Sequence, residues 1–164
     1  MRSIEVDSCP DVDHGDSHDV VDTARLAPGA SDAMSVTLIH STRLCPVSFA
    51  YAAAGGETGL VFTAGAMPID VEGQVTAPGD LAAQTREALA NLQIALEDAG
   101  ATIRDVLKTT VYVASSDPGD LIAAWEEVRA VFGDHNVPGT CLGVTVLACP
   151  GQLVEIEAIA ALPG

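Results

Sequence analysis

The chain has 164 residues, 48% of them hydrophobic and 4% aromatic, with 7 Lys and Arg against 23 Asp and Glu for a formal charge of -16. That length suits one domain with a core of its own. So much negative charge excludes polyanionic partners, because nucleic acid and anionic membrane surfaces are bound through clustered Lys and Arg.

Residues 1–34 read as an acidic tail, punctuated by Gly and Ser and lacking an apolar period, ahead of a folded domain over 35–164. Within the tail, "DVDHGDSHDVVD" (Asp11 to Asp22) mimics a cation-binding loop. Gly15 stands one place early, however, Asp16 takes its slot and Asp22 replaces the closing Glu. His14 and His18 have helical metal-ligand spacing but enclose Gly15. The expectation is a solvated tail and no metal. Its opening, "MRSIEVDSCPDVDHGD", lacks the basic-then-apolar order of a secretory leader, and no apolar run nears the roughly 20 residues that span a bilayer. The cytoplasm is therefore the expected compartment. Cys9, Cys45, Cys141 and Cys149 show no C-x-x-C spacing and are expected to be reduced there.

From Val36 the chain becomes regular. "VTLI" predicts a strand, and "GLVFTAGAMPID" (59–70) a second one closed by a Gly-Ala-Met-Pro turn. "VEGQVTAP" predicts a short return with its turn at Glu72-Gly73. Asp80 is placed to cap a helix in which Leu81, Thr85, Ala88, Leu89, Leu92, Ala95, Leu96 and Ala99 recur at threes and fours, and Gly100 stops it. "VLKTTVYVA" (106–114) is a β-branched strand. A second helix is predicted from about Leu121 to Phe132, striped by Leu121, Ala124, Trp125, Val128, Val131 and Phe132 and ended by Gly133. "HNVPGT" is a loop, "CLGVTVLA" a strand, "CPGQ" a turn and "LVEIEAIA" the last strand.

The order β-β-β-α-β-α-β-β predicts an α+β domain with one mixed sheet and both helices on one face. The other face is left for neighbouring subunits. On the last strand Val154, Ile156, Ala158 and Ala160 share the core face, while Glu155 and Glu157 stand on the opposite face between Leu153 and Ile159. Two carboxylates between apolar neighbours suggest work beyond solubility.

Three stretches, "GLVFTAGAMPID", "DLAAQTREALANLQIALEDAGATIRDVLKTTVYV" and "GQLVEIEAIA", in this order over roughly 44–161, resemble the RidA/YjgF family of reactive-intermediate (enamine/imine) deaminases. The resemblance implies a chorismate-mutase-like fold and a homotrimer whose sheets form a central barrel, with small-molecule clefts between subunits. It also implies hydrolysis of 2-aminoacrylate and related imines to 2-oxo acids and ammonia, with no metal or organic cofactor. Residue by residue, Tyr51 in "SFAYAA" matches the family's tyrosine, Gly65 in "FTAGAMP" its backbone glycine, Cys141 in "PGTCLGV" its cysteine and Glu155 its water-positioning glutamate.

The family's substrate-carboxylate arginine has no counterpart. Gly139 occupies its place, or Thr140 in an adjacent alignment, while Ala64 replaces the usual Ser before the glycine and Trp125 the usual Asn of the second helix. Losing an Arg–carboxylate pair costs on the order of 2–4 kcal/mol of binding. Arg43 and Lys108 are the cationic candidates, with Lys108 expected to pair with an acid such as Glu157. The cleft is then neutral to negative and favours a neutral or cationic ligand.

Each candidate keeps a structural alternative. Glu155 is either the water-orienting acid or one half of an interface salt bridge, and Glu157 is expected to be structural. Cys141 lines the cleft or acts as a nucleophile, a role that an acidic cleft disfavours. Tyr51 is a cleft donor or a core tyrosine, and Trp125 a cleft wall or simply the large member of its helix stripe. The expected function is a divergent imine or enamine hydrolase acting on a substrate other than 2-aminoacrylate. The alternative is a non-catalytic small-molecule-binding or regulatory trimer. Ribonuclease activity, also reported within the family, fits poorly with the charge.

Overall fold

A computed structural model describes residues 36–56 and 58–163. The tail expected over 1–34, with its metal-like loop and Cys9, lies outside the described residues. Strands β1 (Val36–Ile39), β2 (Ala52–Gly55) and β3 (Leu60–Thr63) precede helix α1 (Leu81–Asp98). Strand β4 (Val106–Val113), helix α2 (Pro118–Phe132), β5 (Gly139–Gly143) and β6 (Val154–Ala161) follow. One sheet has the order β1-β2-β3-β6-β4-β5. It is mixed, with β4 and β5 parallel and every other pair antiparallel.

Both helices cover the same sheet face. Leu89, Leu92 and Leu96 of α1 and Ala124, Val128 and Phe132 of α2 close on Val111 and Val113 of β4 and Val154 and Ile156 of β6 in one buried cluster. Asp80 caps α1 by accepting a hydrogen bond from the Ala83 amide at 2.9 Å, and Gly100 leaves the helix at φ +84°, a conformation costly for any residue with a Cβ. Asp117 and Pro118 start α2 about one turn before Leu121, because the Asp117 side chain accepts from the Gly119 amide and Pro118 needs no helical donor.

Three strand expectations shift, one of them at β5, which takes in Gly139 and Thr140 of the expected loop and ends at Gly143, leaving residues 144–148 of "CLGVTVLA" outside any strand. The third strand of the first group is "AAAG" at β2, which has no β-branched residue and is held by its neighbours β1 and β3. The "VEGQVTAP" return contributes only an isolated bridge between Ile69 and Val75. Cys149 is disulfide-bonded, in contrast to the reduced state expected for all four cysteines, whereas Cys45 and Cys141 are free thiols. Among the described residues, no helix is long and apolar enough to cross a membrane.

One buried polar residue ties the scaffold to the acidic strand. Gln84 of α1 is fully buried, donates to the carbonyls of Ala77 and Gly151, and accepts from the Leu153 amide at 2.8 Å. Every polar atom of its amide group is thereby used, and the turn entering β6 is held against α1.

Candidate functional site

The alternation of β6 splits as its sequence predicts: Val154, Ile156, Ala158 and Ala160 are buried against the helices, and Glu155, Glu157 and Ile159 are half-buried on the open face. Cross-strand register places Glu155 opposite Tyr112 of β4, and Tyr112 opposite Leu142 of β5. Gln152, only 4% exposed, donates to Glu155 Oε2 at 3.0 Å and to the Val154 carbonyl, and accepts from the Cys149 amide. The other carboxylate oxygen lies over Gly65, where an added Cβ would come within 2.0 Å of Oε1. Reciprocal hydrogen bonds between Ala66 and Ile156 hold the Gly65 segment beside β6. Glu155 and Gly65 are thus brought together.

Glu157 takes a different partner from the one expected. Tyr112 donates its hydroxyl to Glu157 Oε1 at 3.0 Å, and burial together with this bond to a carboxylate raises the tyrosine pKa. Lys108 makes no ion pair among the described residues; it stands opposite Ile159, while Thr110 stands opposite Glu157. Tyr112 is a site residue that sequence reasoning missed. Its signal is parity in "VLKTTVYV", which turns Tyr112 toward the face of the acids.

Tyr51 and Ala64 line a separate small cavity with Met67 and with Asn91 and Ala95 of α1. The Tyr51 hydroxyl donates to the Cys45 carbonyl at 2.5 Å, and burial pushes its pKa up to about 12. Its hydroxyl is therefore spent on the backbone of its own loop.

Trp125, Gly139 and Cys141 meet at a hollow of about 340 Å³ between α2 and β5, walled also by Leu121 and Ile122. The indole lies on Gly139 so closely that a Cβ there would sit 2.1 Å from Trp125 Cη2 and 3.2 Å from Thr109 Cγ2. The Cys141 thiol contacts the Leu121 carbonyl at 3.7 Å, and burial raises its pKa, which keeps it protonated. Thr140 turns to the opposite face, across from Thr110. His135 is bonded through Nε2 to the Val106 carbonyl at 2.7 Å, stacks on Phe132, and lines a neighbouring hollow beyond Trp125.

A single chain does not join Glu155 to this hollow. Cys141 is paired with Val111, and Val111 with Ile156, so Gly139 and Cys141 share the helix face, whereas Glu155 stands on the open one.

Residues 43–162 match the family described as endoribonuclease L-PSP. The chain belongs to the RidA/YjgF family. It is 36% identical over 104 residues to the 2-iminobutanoate/2-iminopropanoate deaminase of Escherichia coli K12, across 62% of this chain and 78% of that protein. A RutC family protein of Haemophilus influenzae is 35% identical over 132 residues, covering 77% of this chain and 98% of the relative. The crystal structure of a Mycobacterium tuberculosis member of the YjgF/YER057c/UK114 family shares the fold with a TM-score of 0.63 at 35% identity, over 77% of this chain and 99% of that one.

In this RidA/YjgF chain the cations are distributed differently from the sequence expectation. Arg43 is engaged at the end of α1, bonding Asp98, Glu97 and the Ile94 carbonyl. Arg86 pairs with Glu127 and Arg104 with Asp134. Arg129 pairs with no acid among the described residues and lines the Trp125–Gly139 hollow. It was missed as a site residue, and its signal is helical spacing: Arg129 lies four residues beyond Trp125, on the same face of α2.

Proposed function

We propose that this chain hydrolyses an imine or enamine other than 2-aminoacrylate in a cleft where Glu155 of one copy meets the α2–β5 hollow of another, within a homotrimer. The observation that carries this reading is the state of Glu155. One carboxylate oxygen is fixed by the buried Gln152 amide and the other is directed over the bare Cα of Gly65. A carboxylate held in this way can orient a water and take its proton.

The steps balance on that one group. The water oxygen adds to the imine carbon while Glu155 takes one water proton and passes it to the imine nitrogen, giving a neutral amino alcohol. Glu155 then takes the hydroxyl proton and delivers it to the nitrogen as the C–N bond breaks, and the products are a carbonyl compound and ammonia. Cys141, kept protonated by burial, lines the cleft instead of attacking, and Tyr51 steadies the Ala64–Gly65 segment from behind.

Two copies are required because Glu155 and the hollow lie on opposite faces of the sheet. The open face also exposes Leu38 at 63%, Phe62 at 49% and Leu142 at 47%, apolar area that further copies would cover. The charge of -16 leaves RNA outside the substrates considered.

Ammonia and carbonyl release from freshly generated imines, small carboxylates and bulkier neutral ones alike, tests the reading. Wild type is expected to exceed the spontaneous rate, and Glu155→Gln to lose on the order of 10²–10⁴-fold while the trimer persists in sedimentation. A wild type that turns over no imine yet binds ligands saturably would replace the hydrolase with a ligand-binding trimer.

A further inference from the structure

We propose that Gln84 and Asn91 of α1 are positioning residues for Glu155, forming a two-point clamp that sets its carboxylate over Gly65. Glu155 acting as the base proposed above is the premise, and the two amides act on the reaction only through it. Each grips the backbone of one of the two segments that meet at the carboxylate.

Gln84 and Asn91 stand two turns apart, which brings both side chains to one face of α1 with about 10 Å of helix between them. From that face the fully buried Gln84 holds the approach to Glu155. It donates to the Gly151 carbonyl at 3.0 Å and accepts from the Leu153 amide at 2.8 Å. The half-buried Asn91 holds the chain leaving Gly65, donating to the Met67 carbonyl at 2.8 Å and the Ile69 carbonyl at 2.9 Å. The two grips are symmetrical, since one falls two and four residues before Glu155 and the other two and four residues after Gly65.

The sheet alone joins these segments only loosely. The β3–β6 ladder stops at Phe62 and Ile159. Beyond it the Thr63 hydroxyl accepts from the Ala158 amide at 2.9 Å, and Ala66 and Ile156 exchange backbone hydrogen bonds of 2.7 and 3.1 Å in an isolated bridge. Across that bridge the carboxylate lies so near Gly65 that a Cβ would come within 2.0 Å of Oε1. So close an approach is kept when both backbones are fixed to one rigid element. Helix α1 supplies it, an 18-residue helix anchored in the core by Leu89, Leu92 and Leu96.

Removing either amide leaves buried backbone groups without partners, so a purely structural role predicts lost stability and nothing more. A positioning role predicts a loss of kcat per folded molecule with KM nearly unchanged, because binding in the hollow does not pass through Glu155. The substrates are imines freshly generated by oxidising leucine and benzylamine, one a carboxylate and one neutral. Asn91→Ala and Gln84→Leu are compared with Val106→Ala, a core change on β4 away from the clamp. Backbone hydrogen exchange at Ala66 and Ile156 reports the bridge beside the carboxylate without any turnover.

Asn91→Ala and Gln84→Leu are each expected to lower kcat by on the order of tenfold or more with KM within about twofold, and Val106→Ala to leave kcat per folded molecule unchanged. In Asn91→Ala, exchange at Ala66 and Ile156 should quicken by on the order of tenfold while amides of the β4–β6 ladder keep their protection. A fall in kcat no larger than that of Val106→Ala overturns the clamp, as does unchanged exchange at Ala66 and Ile156. Should Asn91→Ala unfold, Asn91→Ser, too short to reach both carbonyls, is read in its place by the same criteria. A wild type that hydrolyses neither imine refutes the hydrolase, and the exchange measurement then decides the clamp by itself. Turnover that is insensitive to both amides refutes the clamp alone.

Discussion

Two glycines in this molecule perform the same steric service in opposite chemical settings. Gly65 lies beneath the Glu155 carboxylate and Gly139 beneath the Trp125 indole, each so close that a Cβ would collide with the side chain above it. At Gly65 the covering group is held by a hydrogen bond from a buried amide, whereas at Gly139 it is held by apolar packing between α2 and β5. The first arrangement is vulnerable to unpaired polar groups and the second to excess volume. The proposed base is thus positioned by hydrogen bonding and the wall of the hollow by packing.

The largest structural effect expected from breaking this contrast is at Gln152. Gln152→Leu removes the donors to Glu155 and Val154 and the acceptor of the Cys149 amide, and is expected to cost about 3 kcal/mol in denaturant unfolding. Imine turnover should fall with it, because Glu155 loses its orientation.

Next comes Gly139→Ala, which places a methyl 2.1 Å from the indole and is expected to destabilise by about 2 kcal/mol. Combined with Trp125→Ala, the same change should cost almost nothing. A double-mutant cycle on unfolding free energies reads that coupling, and additivity would mean that the indole does not hold this place.

Tyr51 supplies a pH test of the scaffold behind Gly65. Its folded pKa of about 12 lies above the ordinary value of 10, so the fold favours the protonated phenol. Stability from this group is complete below pH 10 and is lost as pH rises toward 12, by up to about 2 kcal/mol. Tyr51→Phe should flatten that alkaline limb in thermal melts recorded across this range.

The smallest stability effect is expected at Gly65→Ala. The clash takes in Glu155 Cγ and Cδ as well as Oε1, so the side chain must turn away and its bond from Gln152 is lost, and unfolding should shift by about 1 kcal/mol. Turnover should drop disproportionately, since the displaced group is the proposed base. A large loss of stability with full activity would reverse the roles assigned to the two glycines.

Much of the architecture is legible in the chain. Asp80 and Gly100 bracket α1 as their chemistry predicts, and the alternation of "LVEIEAIA" sorts β6 into a core face and an acidic face. Tyr112 was equally legible by parity, and Arg129 by its spacing from Trp125. Strand β2 was not legible, because "AAAG" carries no local strand preference and is extended only by pairing with β1 and β3. The partner of Glu157 was misjudged because the diagonal contact with Tyr112 is a property of two strands together.

Local chemistry therefore determined by itself the caps, the periods, the identity of the core faces and the family to which the chain belongs. Only the tertiary structure decided that Gln152 holds Glu155, that the indole of Trp125 fills the space over Gly139, and that Arg129 borders the hollow beside it. Caps and periods are interactions within a few residues, so composition and spacing encode them. The meetings of α2 with β5, and of the Gly65 segment with β6, depend on how whole elements pack, and no short stretch of the chain records that.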